Sequence, residues 1–156
     1  MTVQPAPPLQ VAEWLNSDRA LSLDDFRGRV LVVFTFQLLC PGCVQQSIPQ
    51  ARKVAEFFDP KDVAVIALHS VFEHHEAQGR RDVLAAFLHE NRISFPVAMD
   101  QPGDDGMPLT FRSYGMRGTP TLLLIDRQGN LVTSHFGHVD DLALGSAITR
   151  LMLAPE

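Results

Sequence analysis

Residues 30–43 read VLVVFTFQLLCPGC, a run of apolar residues that leads directly into two cysteines. The segment Val30 to Phe36 is apolar on both faces and rich in β-forming residues, which is typical of a central strand covered by helices on each side. After the cysteines, apolar residues recur at helical spacing from Val44 to Phe58. The stretch therefore predicts a strand, a short connection and a helix, with the cysteines at the connection.

The position of the cysteine pair suits thiol chemistry. A thiol attacks a disulfide only as the thiolate, and the N-terminus of a helix stabilises negative charge through its unpaired N–H groups and its dipole. Pro41 suits the first helical position because it has no N–H. This arrangement predicts Cys40, at the helix cap, as the exposed nucleophile and Cys43, one turn inside, as the partly buried resolving thiol.

The rest of the chain alternates between strand and helix patterns. Strand patterns occur at 63–68, 96–99, 121–125 and 131–136, the last two forming a hairpin. Helix patterns occur at 82–91 and 140–153, with a helical turn within 109–114 and short edge strands between 9 and 23. The chain is therefore predicted to be α/β, with a central mixed β-sheet and helices on both faces. We expect a single domain over residues 1–156, with a flexible segment at residues 1–8.

Composition and charge argue against several classes of function. The chain of 156 residues has a net charge of -5, which argues against partners such as nucleic acid or an anionic membrane surface. No apolar run approaches the roughly 20 residues that cross a bilayer. The N-terminus lacks the basic and apolar segments of a secretory signal, so we expect a cytoplasmic protein. Two cysteines this close together exclude a multi-disulfide framework and favour a reactive or metal-binding pair.

The sequence resembles the thioredoxin superfamily, and more closely the TlpA-like redoxins. The resemblance rests on the strand-CPGC-helix unit and on YGMRGTPT at residues 114–121, which precedes a late strand and a C-terminal helix. It implies a thioredoxin-like fold and a thiol-disulfide oxidoreductase that acts on protein or small-molecule thiols and disulfides. Its redox centre would be a redox-active disulfide between Cys40 and Cys43, with no other cofactor and no metal.

The second motif of that family implies where substrate binds. In the family its proline is cis, and its loop faces the cysteines, where the preceding backbone pairs with the substrate chain. Carried over, this gives Thr119 and Pro120 substrate-positioning roles, and Leu39, Pro41 and Gly42 would contact substrate beside them. In the alternative interpretation, Pro120 only begins a strand.

Three positions depart from the family pattern. Leu39 stands where a tryptophan usually precedes the first cysteine. Phe34 stands where thioredoxin carries a buried acid, so the usual proton acceptor for the resolving thiol is missing. The helix proline, Pro49, comes one residue late, which either a π-bulge or a proline kink would accommodate.

His69, together with Glu73, is a candidate to replace the missing acid. The strand at 63–68 should run beside the cysteine strand and end at the same edge of the sheet, which places His69 near the cysteines. An ordinary histidine pKa of about 6.5 would let His69 transfer a proton or, when protonated, stabilise the Cys40 thiolate. In the alternative interpretation, His69 ends the strand and hydrogen-bonds the backbone.

Two other functions fit parts of the sequence. A thiol peroxidase would use Cys40, and Arg117 lies where some peroxiredoxins carry an arginine, but Gln37 stands where their threonine would fall. A non-catalytic metal-binding or adaptor module would combine the cysteines with the histidines at 69–75, although their separation exceeds zinc-finger spacing. Peroxide consumption and stoichiometric zinc distinguish these alternatives from disulfide exchange.

Overall fold

The computed structural model describes residues 3–155, which fold around one mixed β-sheet. Its strands are β1 (Gln4–Pro5), β2 (Val11–Leu15), β3 (Val30–Phe36), β4 (Val63–His69), β5 (Val97–Asp100), β6 (Thr121–Ile125) and β7 (Asn130–Phe136). They are ordered β1-β7-β6-β3-β4-β5-β2, with β3, β4 and β5 parallel and the other neighbouring pairs antiparallel. The predicted central strand is confirmed, since every residue of β3 is buried.

Helical segments cover both faces of the sheet, as predicted. They are a 3₁₀ turn (Leu23–Phe26), a π-helical turn (Cys43–Ser47), α1 (Ile48–Phe57), α2 (His75–Gln78), α3 (Arg81–Glu90), α4 (Leu109–Ser113) and α5 (Asp141–Leu153). The face with α1, α3 and α5 buries one apolar cluster, which includes Phe34 and Phe36. The 3₁₀ turn and α4 bury a second cluster on the opposite face. Within residues 3–155, no helix combines the length and apolar character that crossing a membrane requires.

The connections of β3, β4 and β6 bring three segments to one edge of the sheet. Strands β3 and β4 are parallel, with Phe36 paired to His69, so both end at this edge. Strand β6 runs antiparallel to β3 and begins here, with Thr121 paired to Thr35. The cysteine loop, the segment after His69 and the loop before Thr121 therefore meet, as expected at the carboxyl ends of parallel strands.

Part of the segment at residues 1–8, which the sequence predicts to be flexible, pairs with the sheet in the structure. Residues 4–5 form the edge strand β1 against β7. After this strand, the Pro7 carbonyl accepts a hydrogen bond of 2.6 Å from the Tyr114 hydroxyl. Apolar periodicity gives no signal for such a strand, because backbone hydrogen bonds hold it and prolines are tolerated at sheet edges. Residues 1 and 2 lie outside the described residues.

Candidate redox site

Cys40 and Cys43 lie at the start of the helix that follows β3. The Cys43 amide donates to the Cys40 sulfur at 3.3 Å, and the Val44 amide donates to the Cys40 carbonyl at 3.1 Å, so Cys40 caps the helix. Both residues are free thiols; Cys40 is partly exposed, whereas Cys43 is 0% exposed. One sulfur is thus open to a partner, and the other is enclosed in the apolar core.

The helix after the cysteines begins with a wide turn. Residues Cys43–Ser47 are π-helical, and the Ile48 amide donates to the Cys43 carbonyl. Pro49 follows at once and has no N–H, so α-helical hydrogen bonding is interrupted at this point in any case. Of the two alternatives that the late proline left open, the structure adopts the π-bulge.

A loop with a cis peptide bond faces the cysteines. The bond joins Thr119 and Pro120, and the Cys40 thiol donates to the Thr119 carbonyl at 3.5 Å. A Cβ atom added to Gly42 would lie 3.7 Å from Pro120 Cδ, an ordinary van der Waals contact. The cysteine motif and the loop at 119–120 therefore form two sides of one surface.

The other two residues predicted to contact substrate flank Cys40 in the chain. Leu39 is 54% exposed, and Pro41 is exposed as well. Exposed apolar side chains beside a partly exposed sulfur offer contact area to a partner chain. The structure thus places all five predicted substrate-contact residues around the Cys40 thiol.

The two thiols differ in their environments. Burial raises the pKa of Cys43 to about 12, and a hydrogen bond with Cys40 adds to the increase. Hydrogen bonds from the Gln37 backbone and the Thr119 side chain lower the same pKa by smaller amounts. In the reduced protein at neutral pH, Cys43 is therefore protonated and needs stabilisation of its charged form to act as a nucleophile.

Phe34 occupies the position of the buried acid and packs in the same apolar cluster as Cys43. A different buried acid, Asp100, ends β5, but its oxygens accept hydrogen bonds from the Ser70 hydroxyl at 2.7 Å and from the amides of residues 110–111 at 2.8 and 3.0 Å. Side chains alternate along β5, so Asp100 lies on the α4 side of the sheet, opposite Cys43. Asp100 therefore caps α4 and does not replace the missing acid.

His69 ends β4 at the predicted edge, but its surroundings are apolar. Its side chain is 2% exposed, and its ring centre lies 5.1 Å from that of Phe36. Burial lowers the pKa of His69 to about 4, so at neutral pH the imidazole has no positive charge with which to stabilise Cys40. Glu73 is exposed, and its backbone carbonyl, not its carboxylate, accepts a hydrogen bond from Gln78. These surroundings favour a packing role for His69 over proton transfer.

Two buried glutamines, which the sequence patterns did not single out as site residues, connect the segments at this edge. Gln37 and Gln78 are each 1% exposed, and a hydrogen bond of 3.1 Å joins their side chains. Gln37 donates to the Thr119 hydroxyl at 3.2 Å, and Gln78 accepts from the Leu39 amide at 2.9 Å. The sequence offers one signal for Gln37, which is a polar residue directly after an apolar strand. Gln78 lies far from the cysteines in the sequence, and no pattern marks it as a site residue.

The side chains that suggested the two alternative functions make other contacts in the structure. Among residues 3–155, no three His, Cys, Asp or Glu side chains are arranged to hold a metal ion. His75 is instead hydrogen-bonded through Nε2 to the Gly106 carbonyl at 2.9 Å. Arg117 is exposed, and its guanidinium lies over the ring of Phe136 at 5.5 Å.

Curated relatives of the chain include thiol-disulfide oxidoreductases. It is 25% identical over 114 residues to thiol-disulfide oxidoreductase ResA of Bacillus thuringiensis subsp. konkukian (strain 97-27), and the match covers 73% of this chain. The match covers 58% of that relative, so the chain spans less than two thirds of the length of the curated relatives it matches.

Solved structures support the predicted thioredoxin-like fold. A thioredoxin-like superfamily protein is 53% identical with a TM-score of 0.95, over 97% of this chain and 98% of that one. A thiol-disulfide isomerase from Corynebacterium glutamicum is 44% identical with a TM-score of 0.91, over 96% and 98% of the two chains. The fold prediction is thus confirmed. The Redoxin family model matches residues 3–145, and the chain therefore belongs to the redoxin family.

Proposed function

We propose that this chain is a thiol-disulfide oxidoreductase that exchanges disulfides with a protein or small-molecule partner through Cys40 and Cys43. Relatives and neighbours named thiol-disulfide oxidoreductase or isomerase support the class of reaction. The environments of the two sulfurs support the order of the steps. The redox centre is the disulfide that the two cysteines form with each other.

Reduction of a substrate begins at Cys40. Its thiolate attacks one sulfur of the substrate disulfide, that S–S bond breaks, and the other substrate sulfur leaves as a thiolate that takes up a proton. Cys43 then loses its proton and attacks the Cys40 sulfur, which releases the second substrate thiol and closes the Cys40–Cys43 disulfide. The two electrons gained by the substrate come from the two cysteines, and the reverse sequence oxidises a dithiol.

The observation that carries this proposal is the asymmetry of the pair. The Cys43 N–H lies 3.3 Å from the Cys40 sulfur at the helix start, where negative charge is stabilised. Cys43 is 0% exposed, so the disulfide sulfur that it can reach is that of Cys40 itself. The mixed disulfide therefore forms on Cys40, beside the loop at 119–120, and Cys43 resolves it.

Alkylation of the reduced protein tests the assignment of the two cysteines. With iodoacetamide at neutral pH, we expect Cys40 to be labelled at least about tenfold faster than Cys43, because the buried thiol is protonated and shielded. Mass spectrometry of quenched samples gives both rates. Equal rates, or faster labelling of Cys43, would overturn the assignment.

A trapping experiment tests the reaction itself. The Cys43→Ser variant should hold a partner as a mixed disulfide that a reductant releases, whereas the Cys40→Ser variant should hold none. Measurement of hydrogen peroxide consumption in the presence of a thiol reductant tests the same protein for peroxidase activity. Fast peroxide consumption without any trapped disulfide partner would replace disulfide exchange by the peroxidase function.

A further inference from the structure

We propose that Gln37, held in one orientation by Gln78, is a positioning residue that turns the Thr119 hydroxyl towards Cys43 and so assists the resolving step. The inference rests on the proposed function, because it concerns the attack of Cys43 on a mixed disulfide at Cys40. It addresses a problem that the fold poses: Phe34 leaves Cys43 without a neighbouring acid.

Backbone groups fix the orientation of the Gln78 amide. Its oxygen accepts from the Leu39 N–H at 2.9 Å, and its nitrogen donates to the Glu73 carbonyl at 2.7 Å. A backbone N–H only donates and a carbonyl only accepts, so the two ends of the amide cannot be exchanged. The remaining N–H of Gln78 then points to the Gln37 oxygen at 3.1 Å.

The Gln37 amide is fixed in the same way. Its oxygen accepts from the Phe72 backbone N–H at 3.1 Å as well as from Gln78. With both hydrogen bonds on the oxygen, the nitrogen must face the opposite side, where it donates to Thr119 Oγ1 at 3.2 Å. Reversal of this amide would place an N–H against two other donors inside the protein.

This donation determines what the Thr119 hydroxyl can do. The hydroxyl oxygen accepts from Gln37, so its single hydrogen is available to another acceptor. The Thr119 carbonyl lies 3.5 Å from the Cys40 sulfur, which places the residue beside the cysteine pair, and its side chain lowers the pKa of Cys43. The hydroxyl thus donates to the Cys43 sulfur as negative charge develops there, which is the stabilisation that a nucleophile buried in an apolar cluster needs.

The hydrogen-bonded series Gln78–Gln37–Thr119, called the relay below, is not a proton acceptor. The chemical balance of the exchange does not require one. When Cys43 attacks the Cys40 sulfur, its proton is released, and the substrate thiolate that departs takes up a proton. The relay stabilises the Cys43 thiolate between these events. Gln37 touches neither sulfur through its side-chain hydrogen bonds and acts through Thr119.

The reaction of the reduced protein with Ellman's reagent separates the two chemical steps. Attack of Cys40 releases a first equivalent of thionitrobenzoate at a rate proportional to the reagent concentration. Attack of Cys43 on the resulting mixed disulfide releases a second equivalent at a rate independent of that concentration. In the Cys43→Ser variant, loss of the second phase alone verifies the underlying assignment independently of the relay.

We expect Gln37→Met and Thr119→Val each to slow the second phase about threefold to tenfold and to move its pH profile up by about one pH unit. The first phase of Gln37→Met should change less than about twofold, and Thr119→Ser should keep the second phase because it keeps a hydroxyl. If Gln37 acts through Thr119, the double variant should be no slower than the slower single variant.

Gln50→Met is the matched control for losing a buried glutamine. Gln50 is 5% exposed and donates to the Val139 carbonyl at 2.6 Å and to Asp141 at 2.9 Å, between α1 and α5. This variant should lower the melting temperature and leave both phases unchanged. Equal slowing of both phases in Gln37→Met, or independent effects that multiply in the double variant, would refute the relay. If Gln37→Met does not fold, an unchanged second phase in Thr119→Val refutes it.

Discussion

The buried imidazole of His69 should make the protein lose stability as the pH falls. Its side chain is 2% exposed, and its Nε2 atom has no hydrogen-bond partner among the described residues. Burial lowers the pKa of His69 to about 4, against 6.5 for an unburied histidine. Protonation therefore favours the unfolded chain. The stability is fully present above pH 6.5 and is lost as the pH falls from 6.5 towards 4.

The size of the effect follows from these two pKa values. At pH 7.5 the imidazole is neutral in both states, so the protonation of His69 contributes almost nothing to unfolding. At pH 5 the unfolded histidine is largely protonated and the folded one is largely neutral, which lowers the free energy of unfolding by about 2 kcal/mol. This is a large part of the 5–15 kcal/mol typical of a folded domain.

Urea denaturation of the wild type and His69→Leu at pH 7.5 and 5.0 measures this contribution. Carboxylates titrate in both proteins, so the difference between their pH responses isolates the histidine. We expect the wild type to lose about 2 kcal/mol more than His69→Leu between the two pH values. Identical pH responses in wild type and His69→Leu would contradict the reasoning.

Three further substitutions should lower the free energy of unfolding measured in urea. Asp100→Ala should cost about 3 kcal/mol, because two amides of α4 and a buried hydroxyl lose their acceptor; a loss under about 1 kcal/mol would mean that water replaces the carboxylate. Gly79→Ala should cost about 1–3 kcal/mol, since the new Cβ would lie 2.5 Å from the His75 carbonyl oxygen; unchanged stability would show that α2 shifts freely. Tyr114→Phe should cost about 1 kcal/mol through loss of the hydrogen bond to Pro7, and no change would show that the N-terminal segment adds nothing to stability.

Periodicity located most elements of the fold because their side chains carry the signal. The seven residues of β3 are all buried, and their apolar run predicts a strand covered on both faces. Strand β1 was not predicted, because backbone hydrogen bonds pair it with β7 and side-chain patterns do not reveal such bonds. The π-helical turn was one of two open alternatives, since a proline in a helix is compatible with either distortion.

The candidate site could be located from the sequence, but its polar contacts could not. The motifs at residues 40–43 and 119–120 meet because each lies at the end of a strand in the same sheet. The proposed relay from Gln37 to Thr119 depends on Gln78, which becomes a neighbour only when α2 packs against the cysteine loop. His69 lies at the expected edge, yet its apolar surroundings, which a one-dimensional pattern does not define, determine its charge.

The π-helical turn also affects how related sequences should be aligned. Each residue advances an α-helix by about 100°, so one residue added within a turn would rotate everything after it by that angle. The wide turn at Cys43–Ser47 absorbs this rotation before α1 begins, and Ile48 and Val54 still point into the same core as Cys43. The number of residues between the second cysteine and the helix proline therefore indicates whether the wide turn is present. A redoxin in which this number is smaller by one should be aligned with a gap inside this turn, so that its cysteines and its helix both superpose on those of this chain.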